Sequence, residues 1–280
     1  MRAVDAGRLS IDGRVADLLK DWRGRDRASV SIRDLLEHAS GLTTYLPFFR
    51  DHRGRQEFER AICTLPLEYA PRTQSIYSDL GFMLLGFILE DVNGRSLAEQ
   101  FEGVAREIDL EDLRFTPPRE WRDRTAPTEL DLWRGRLLQG EVHDENAWTL
   151  GGAAGHTGLF GSAIAVGAFA RAMLANLNGL GPLAKPATLA AFIQRSDVPG
   201  SSRALGWEIA SRSASYGTRV STRAIGHTGF TGTSLVVDPE QDLYVVFLTN
   251  RVHPARDNNA IRAVRPRVHD EIVGALQSNP

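Results

Sequence analysis

The chain has 280 residues, 42% of them hydrophobic, enough to bury one large core, or two lobes sharing one, without a disulfide staple. Charged residues make up 24%, the formal net charge is −2, and Lys and Arg are scattered, so the sequence carries no electrostatic footprint for nucleic acid or an anionic membrane. The longest apolar stretch, Leu80 to Leu89, is far shorter than the ~20 residues that span a bilayer, so no membrane span is expected.

Residues Met1 to Ala6 read as the end of a helix, with Met1 and Val4 one turn apart and Gly7 fitting a C-terminal cap. A helix this short is unstable alone, which leads to the expectation of an N-terminally truncated domain. Arg23, Arg25 and Arg27 alternate with acids or Gly and read as a solvated turn. Helices are expected after Ser31, Ser96 and Ser162, each a capping residue ahead of an apolar run. Cys63, the single cysteine, reads as a small buried hydrophobe in an apolar helical stretch. Turn chemistry marks loops from Glu68 to Ser78 and from Arg114 to Glu141, the second long enough for a functional surface or a lid.

After about Leu205 the pattern changes to period two. Strands are expected over Leu205–Ile209, Ala224–Gly229, Thr233–Val237 and Leu243–Thr249, the last two joined as a hairpin by Asp238-Pro239-Glu240-Gln241. An amphipathic helix from about Asn258 to Leu276 would cover one face of that sheet despite Pro266.

Two short constellations carry candidate chemistry. Tyr77-Ser78-Asp79 heads the helix Leu80 to Val92, where Ser78 or Asp79 would cap free backbone N–H groups. His227-Thr228-Gly229 ends a strand and runs into Phe230-Thr231-Gly232-Thr233, where Gly permits close backbone approach and His227 and Thr228 place donors along one edge. Taken singly, these are a capped helix beside a tyrosine and a glycine-rich strand end. A Ser-x-x-Lys nucleophile pair is absent from the sequence: lysine occurs only at Lys20 and Lys185, and the residues three before them are Asp17 and Pro182.

Together the segments resemble the serine β-lactamase and penicillin-binding-protein superfamily, in particular its class C and esterase-like branch. The likeness runs over nearly the whole chain. It rests on Leu35-Leu36-Glu37-His38-Ala39-Ser40-Gly41-Leu42, on Tyr77-Ser78-Asp79 at the family's Y-x-N position, on Leu159-Phe160-Gly161-Ser162-Ala163, and on His227-Thr228-Gly229 at its K-T-G position. The stretches around Val142-His143-Asp144-Glu145-Asn146 and Gly226 to Leu235 are similar to a narrower group of β-lactamase-related carboxypeptidases.

The resemblance implies roles. Tyr77 would be a general base or proton relay, Asp79 would hold the substrate amide or the missing Lys, and His227 would replace the family's cationic Lys. Thr228, with Gly229, would contact a substrate carboxylate or carbonyl, and the backbone N–H of Phe230 or Thr231 would supply one oxyanion-hole donor. Two departures matter. Asp79 in place of Asn would raise the pKa of a neighbouring Lys and favour Tyr77 as the base. His227 is charged only in part near neutrality, so recognition of an anionic substrate should weaken as pH rises. Both favour esterase or peptidase work over penicillinase activity.

His143, Asp144 and Glu145, with His156 and His227, lack the spacing of metal ligands, so no metal and no other cofactor is expected, and the His143-Asp144-Glu145 loop is expected to border the cleft and shape it through hydrogen bonds. His38 should make a structural hydrogen bond near a helix C-cap, while His253 and His269 read as surface residues.

The fold expected is α/β (α+β) of the β-lactamase/transpeptidase type, with its first two strands missing. A mainly helical lobe (8–200) and an antiparallel sheet with the C-terminal helix (201–280) would form one domain, with N- and C-terminal helices flanking the sheet and the active site in the cleft. The expected reaction is hydrolysis of an ester, amide or D-alanyl peptide through an acyl-enzyme, with the 280-residue chain itself inactive for want of a nucleophile. The alternative is a non-catalytic remnant that binds a peptidoglycan-like or acyl ligand. The partner expected is a small-molecule or peptidoglycan-like substrate and the assembly a monomer. The chain as written would be cytoplasmic, or periplasmic or secreted if a signal peptide lies upstream.

Overall fold

A computed structural model describes residues 1–210 and 215–278. The helices in chain order are α1 (Arg2–Asp5), α2 (Val15–Leu18), α3 (Ile32–Leu36), α4 (Gly54–Thr64), α5 (Asp79–Asn93), α6 (Leu97–Glu107), α7 (Glu145–Thr149), α8 (Ala163–Leu177), α9 (Pro186–Ile193) and α10 (Ile261–Ser278). The strands are β1 (Leu113–Phe115), β2 (Leu130–Asp131), β3 (Arg136–Leu137), β4 (Leu159–Gly161), β5 (Glu208–Ile209), β6 (Ile225–Thr228), β7 (Ser234–Asp238) and β8 (Leu243–Phe247).

Capping residues start the helices where the sequence places them. Ser31 and Ser96 form capping boxes with Asp34 and Glu99, and Ser162 accepts from the Ala165 N–H. Helix α5 is apolar nearly all round and runs through the centre of the helical part, burying Leu80, Met83, Leu84 and Ile88 against Trp22, Leu35, Phe58 and Ile62. Each such fully buried large side chain contributes about 1.5–3 kcal/mol relative to an exposed one. Cys63 lies in this core, and burial pushes its thiol up to about 12.

Strands β5-β6-β7-β8 form an antiparallel meander in that order. The β7–β8 hairpin has the expected turn: Asp238 Oδ1 accepts from the Glu240 and Gln241 N–H groups. One sheet face packs on α8 through Ile225, Val237, Ala170 and Met173, the other on α10 through Val236, Val245 and Val273.

Four expectations need correction. The second helix on the sheet is α8, whereas the N-terminal α1 packs against α5. The first strand is confined to Glu208–Ile209, because the Leu205–Trp207 stretch is taken up in a bend with Gly206 at φ +78°. Arg27 is not solvated: its guanidinium is buried, lies 5.1 Å from the Trp22 ring centroid, and donates to the carbonyls of Cys63 and Leu65. His269 is fully buried beneath the sheet, its Nε2 3.0 Å from Ser234 Oγ, because α10 turns it inward with Val273 one turn on.

An apolar cavity of about 670 Å³ lies between α1, α5 and α6, lined by Val4, Leu9, Leu85, Leu89, Phe101 and Val104 among others. No described helix is long and apolar enough to cross a membrane.

Candidate active site

The Tyr77 position is built by three locks around the start of α5. The Ser78 hydroxyl caps the helix by accepting from the Gly81 N–H and donates to the Thr43 carbonyl, so it is fully engaged. The Asp79 N–H donates to the Thr44 carbonyl at 3.0 Å, and the Ser78 N–H donates to His38 Nδ1 at 3.0 Å. His38 follows α3 in the left-handed region, φ +56°, as a helix-terminating residue. Its ring lies between Tyr77, tilted with centroids 4.6 Å apart, and Phe82, stacked with centroids 4.7 Å apart. The structural hydrogen bond expected of His38 therefore exists, and it holds the Tyr77 loop.

Burial, reinforced by the Asp79 carboxylate beside it, raises the Tyr77 pKa well above the ordinary phenol range. Burial also raises the Asp79 pKa, with His156 and the Tyr77 hydroxyl acting against it. Tyr77 is thus a protonated phenol at neutral pH, suited to relaying a proton and not to resting as a phenolate.

The opposite wall comes from the sheet. His227, on β6, approaches Tyr77 with ring centroids 6.2 Å apart. Its Nδ1 lies 2.8 Å from the Thr228 carbonyl oxygen, so Nδ1 carries the proton and the neutral ring leaves Nε2 as acceptor. Burial lowers the His227 pKa, with the Thr228 carbonyl opposing and Arg203 assisting. The imidazole therefore holds less positive charge near neutrality than its residue type suggests.

Beyond Thr228 the chain turns tightly: the Gly229 N–H donates to Thr233 O and the Gly232 N–H to Gly229 O. A side chain at Gly229 would meet Thr233 Oγ1 at 2.2 Å, and Gly232 sits at φ +112° with its carbonyl held by Thr249. Phe230 is exposed, its ring 4.2 Å from the Arg251 guanidinium and stacked on His143. The Phe230 carbonyl accepts from Arg251 Nε, and the Thr231 carbonyl from the Arg251 N–H. Among the described residues the N–H groups of Phe230 and Thr231 donate to no partner.

The structure thus brings Tyr77, Asp79 and His227 together, with Thr228 and Gly229 continuing the same edge, while Phe230 and Thr231 lie further along it, toward His143. The acidic loop supports this arrangement by hydrogen bonds. His143 Nε2 meets Glu129 at 2.8 Å, Arg256 ties Glu129 to Glu145, and His156 Nε2 meets Asp144 at 3.1 Å. Asn146 pins the segment to the Phe49 N–H and Leu46 carbonyl. No group of three or more potential metal ligands occurs among the described residues.

Sequence reasoning missed one residue of the cleft, Arg203. Its guanidinium carbon lies 5.5 Å from the Tyr77 ring centroid, yet a lone arginine in a serine-rich loop carries no pattern that marks it.

Residues 1–268 match the family model described as Beta-lactamase. The chain belongs to the beta-lactamase family. A relative named putative D-alanyl-D-alanine carboxypeptidase from Escherichia coli (strain K12) is 31% identical over 289 residues, covering 90% of this chain and 65% of that protein. Its counterpart in Salmonella agona (strain SL483) is 29% identical over 287 residues, covering 90% of this chain and 66% of that protein. The chain thus spans just under two thirds of the length of these relatives. Among solved structures, EstCE1, a hydrolase with promiscuous acyltransferase activity, aligns with TM-score 0.73 at 21% identity over 98% of this chain and 80% of its own. The class C beta lactamase from Rhodobacter sphaeroides aligns with TM-score 0.71 at 20% identity over 96% of this chain and 80% of its own. The mixed α/β fold is therefore the beta-lactamase fold, shared with relatives named as carboxypeptidases and with solved structures named as a hydrolase and a penicillin-binding-protein homolog.

Within this family fold, the 670 Å³ cavity is not the candidate cleft: none of Tyr77, Asp79 or His227 lines it.

Proposed function

We propose that the cleft walled by Tyr77, Asp79, His227 and Thr228 binds an acyl donor, an ester, amide or D-alanyl peptide, and forms the substrate-binding and proton-relay part of a serine-hydrolase site. The observation that carries this reading is the approach of Tyr77 and His227, from separate elements, to 6.2 Å. Two N–H groups with no partner among the described residues, Phe230 and Thr231, follow on the same strand end as His227.

In the reaction this supports, a serine hydroxyl attacks the scissile carbonyl, and the oxygen of the tetrahedral adduct takes its negative charge toward the Phe230 or Thr231 N–H. The hydroxyl proton passes through Tyr77, with His227 Nε2 and Asp79 as neighbouring acceptors, to the departing amine or alkoxide as the bond to it breaks. Water then takes the place of the leaving group and returns the serine. No Ser-x-x-Lys occurs among these 280 residues and Ser78 is spent on capping, which supports a chain that supplies no nucleophile of its own. That same observation favours the second reading, a cleft that binds acyl ligands without turning them over.

The experiment is labelling with a fluorescent penicillin together with hydrolysis of p-nitrophenyl acetate. The 280-residue chain is expected to show neither a covalent label nor an acyl-enzyme burst. Stoichiometric labelling of any serine would overturn the reading that these 280 residues supply no nucleophile.

A further inference from the structure

We infer that Arg251 is a positioning residue of the cleft: its guanidinium grips the peptide that follows Phe230 and aims the Thr231 N–H at the oxygen that becomes negative during acyl transfer. This rests on the acyl-donor reading of the Tyr77 and His227 cleft and names the side chain that orients one of its two candidate oxyanion donors.

The segment after β6 is a β-turn. The Gly232 N–H donates to the Gly229 carbonyl at 3.0 Å, so Phe230 and Thr231 are its two central residues. In a planar trans peptide the N–H points opposite to the carbonyl before it, so whatever holds a carbonyl also aims the N–H that follows. The Gly229 carbonyl is held from within the turn, by Gly232, and this fixes the Phe230 N–H. The Thr231 carbonyl accepts from the Arg251 N–H at 2.9 Å, which directs the Gly232 N–H back to Gly229. Among the described residues the peptide between these two is reached by a side chain alone: the Phe230 carbonyl accepts from Arg251 Nε at 2.6 Å, and the N–H on the far side is that of Thr231. This central peptide is the one whose rotation distinguishes one β-turn type from another.

Arg251 is itself held for that grip. It lies on the loop from β8 to α10, and two residues earlier the Thr249 hydroxyl donates to the Gly232 carbonyl at 2.6 Å, so the loop clasps the turn at both places. Arg251 Nη1 donates to the carbonyls of Arg256 and Asn258 at 2.9 and 3.0 Å, and the guanidinium carbon lies 4.2 Å from the Phe230 ring centroid. Among the described residues no carboxylate pairs with it, so its donors are spent on main-chain carbonyls and its charge stays beside the Thr231 peptide. A fixed positive charge there adds to the pull of the N–H on a developing oxyanion. A lysine is no equivalent, because it lacks the planar fork that holds the Phe230 carbonyl on one side and the Arg256 and Asn258 carbonyls on the other.

The test is a ¹H–¹⁵N correlation titration with N-acetyl-D-alanyl-D-alanine of the wild-type 280-residue chain and of Arg251→Gln and Arg251→Lys. In the wild type the Thr231 amide proton is expected to move downfield as the ligand carbonyl takes up its hydrogen bond. In both variants roughly half or more of that movement is lost and Kd rises about two- to tenfold, the worth of one net hydrogen bond, while the responses at Tyr77 to Asp79 and at His227 persist. Arg251→Lys keeps the charge and the main-chain N–H, so it tests the fork even where Arg251→Gln fails to fold. An undiminished Thr231 movement in either folded variant would overturn the role of Arg251 and leave the cleft reading intact. So would a wild-type response at Tyr77 and His227 without one at Thr231, and so would variants in which all the cleft responses shrink in proportion, the mark of a merely structural residue. Absence of any response at Tyr77 and His227 in the wild type would overturn the cleft reading and the inference together.

Discussion

The His38 imidazole packs tilted against the Tyr77 ring, centroids 4.6 Å apart, while its Nδ1 accepts the N–H of Ser78, the next residue along. One side chain thereby fixes both the aromatic face and the peptide that carry Tyr77 into the cleft. His38→Ala leaves the buried Ser78 N–H without its acceptor and removes the ring contacts with Tyr77 and Phe82, and should cost about 1–3 kcal/mol in chemical denaturation. Asn tolerates the left-handed backbone at φ +56° and offers a carbonyl acceptor, so His38→Asn should cost less. Equal stability of both variants and the wild type would show that His38 does not hold this loop.

The buried histidines set an acid limit on the fold. Burial, with Arg203 and His227 adding to it, holds His38 down to about 3, and burial with Arg265 holds His269 down to about 4. Both are neutral in the folded chain near pH 6, whereas the unfolded chain takes up protons as pH falls through about 6.5. Their contribution is complete above that pH and is lost progressively as pH falls toward the folded values. The melting temperature should decline between pH 7 and pH 4, and the decline should be shallower in His269→Gln; parallel curves would refute this assignment.

Ion pairs should differ sharply in worth with depth. Asp131 and Arg134 have side chains only 2% exposed, and Arg134 also donates to the carbonyls of Val142 and His143, so Asp131→Ala strands a buried guanidinium. The expected cost is about 3–5 kcal/mol. Arg14–Asp17 is exposed on both sides, and Asp17→Ala should change stability by less than about 1 kcal/mol. A denaturation midpoint for Asp131→Ala that matches Asp17→Ala would contradict the burial seen here.

The apolar cavity between α1, α5 and α6 should take up a hydrophobic dye in the folded state, with saturable fluorescence at neutral pH. Leu89→Glu, which sets a charge into its wall, should reduce that signal while the far-ultraviolet circular dichroism is kept. No dye binding by the folded wild type would count against an accessible cavity.

What the sequence made legible follows the strength of local signals. Ser31, Ser96 and Ser162 announced their helices because capping is decided within four residues, and Asp238 announced the β7–β8 turn for the same reason. Tyr77 and His227 were legible as motif residues, though nothing local places them 6.2 Å apart across the cleft. Arg27 and His269 were misread because burial of a polar side chain depends on distant partners: two carbonyls beyond residue 60 for Arg27, and Ser234 on β7 for His269. Arg203 escaped notice on the same ground, since only the folded chain sets it over Tyr77.

The cleft is tested most directly by where an acyl ligand binds. A ¹H–¹⁵N correlation titration of the 280-residue chain with N-acetyl-D-alanyl-D-alanine reads this without requiring turnover. The perturbed amides should centre on Tyr77 to Asp79, Arg203 and His227 to Thr231, and Tyr77→Phe should alter them while leaving α10 unchanged. Saturable shifts confined to the apolar cavity around Val4, Leu89 and Phe101, or no shifts at millimolar ligand, would contradict the assignment of the cleft.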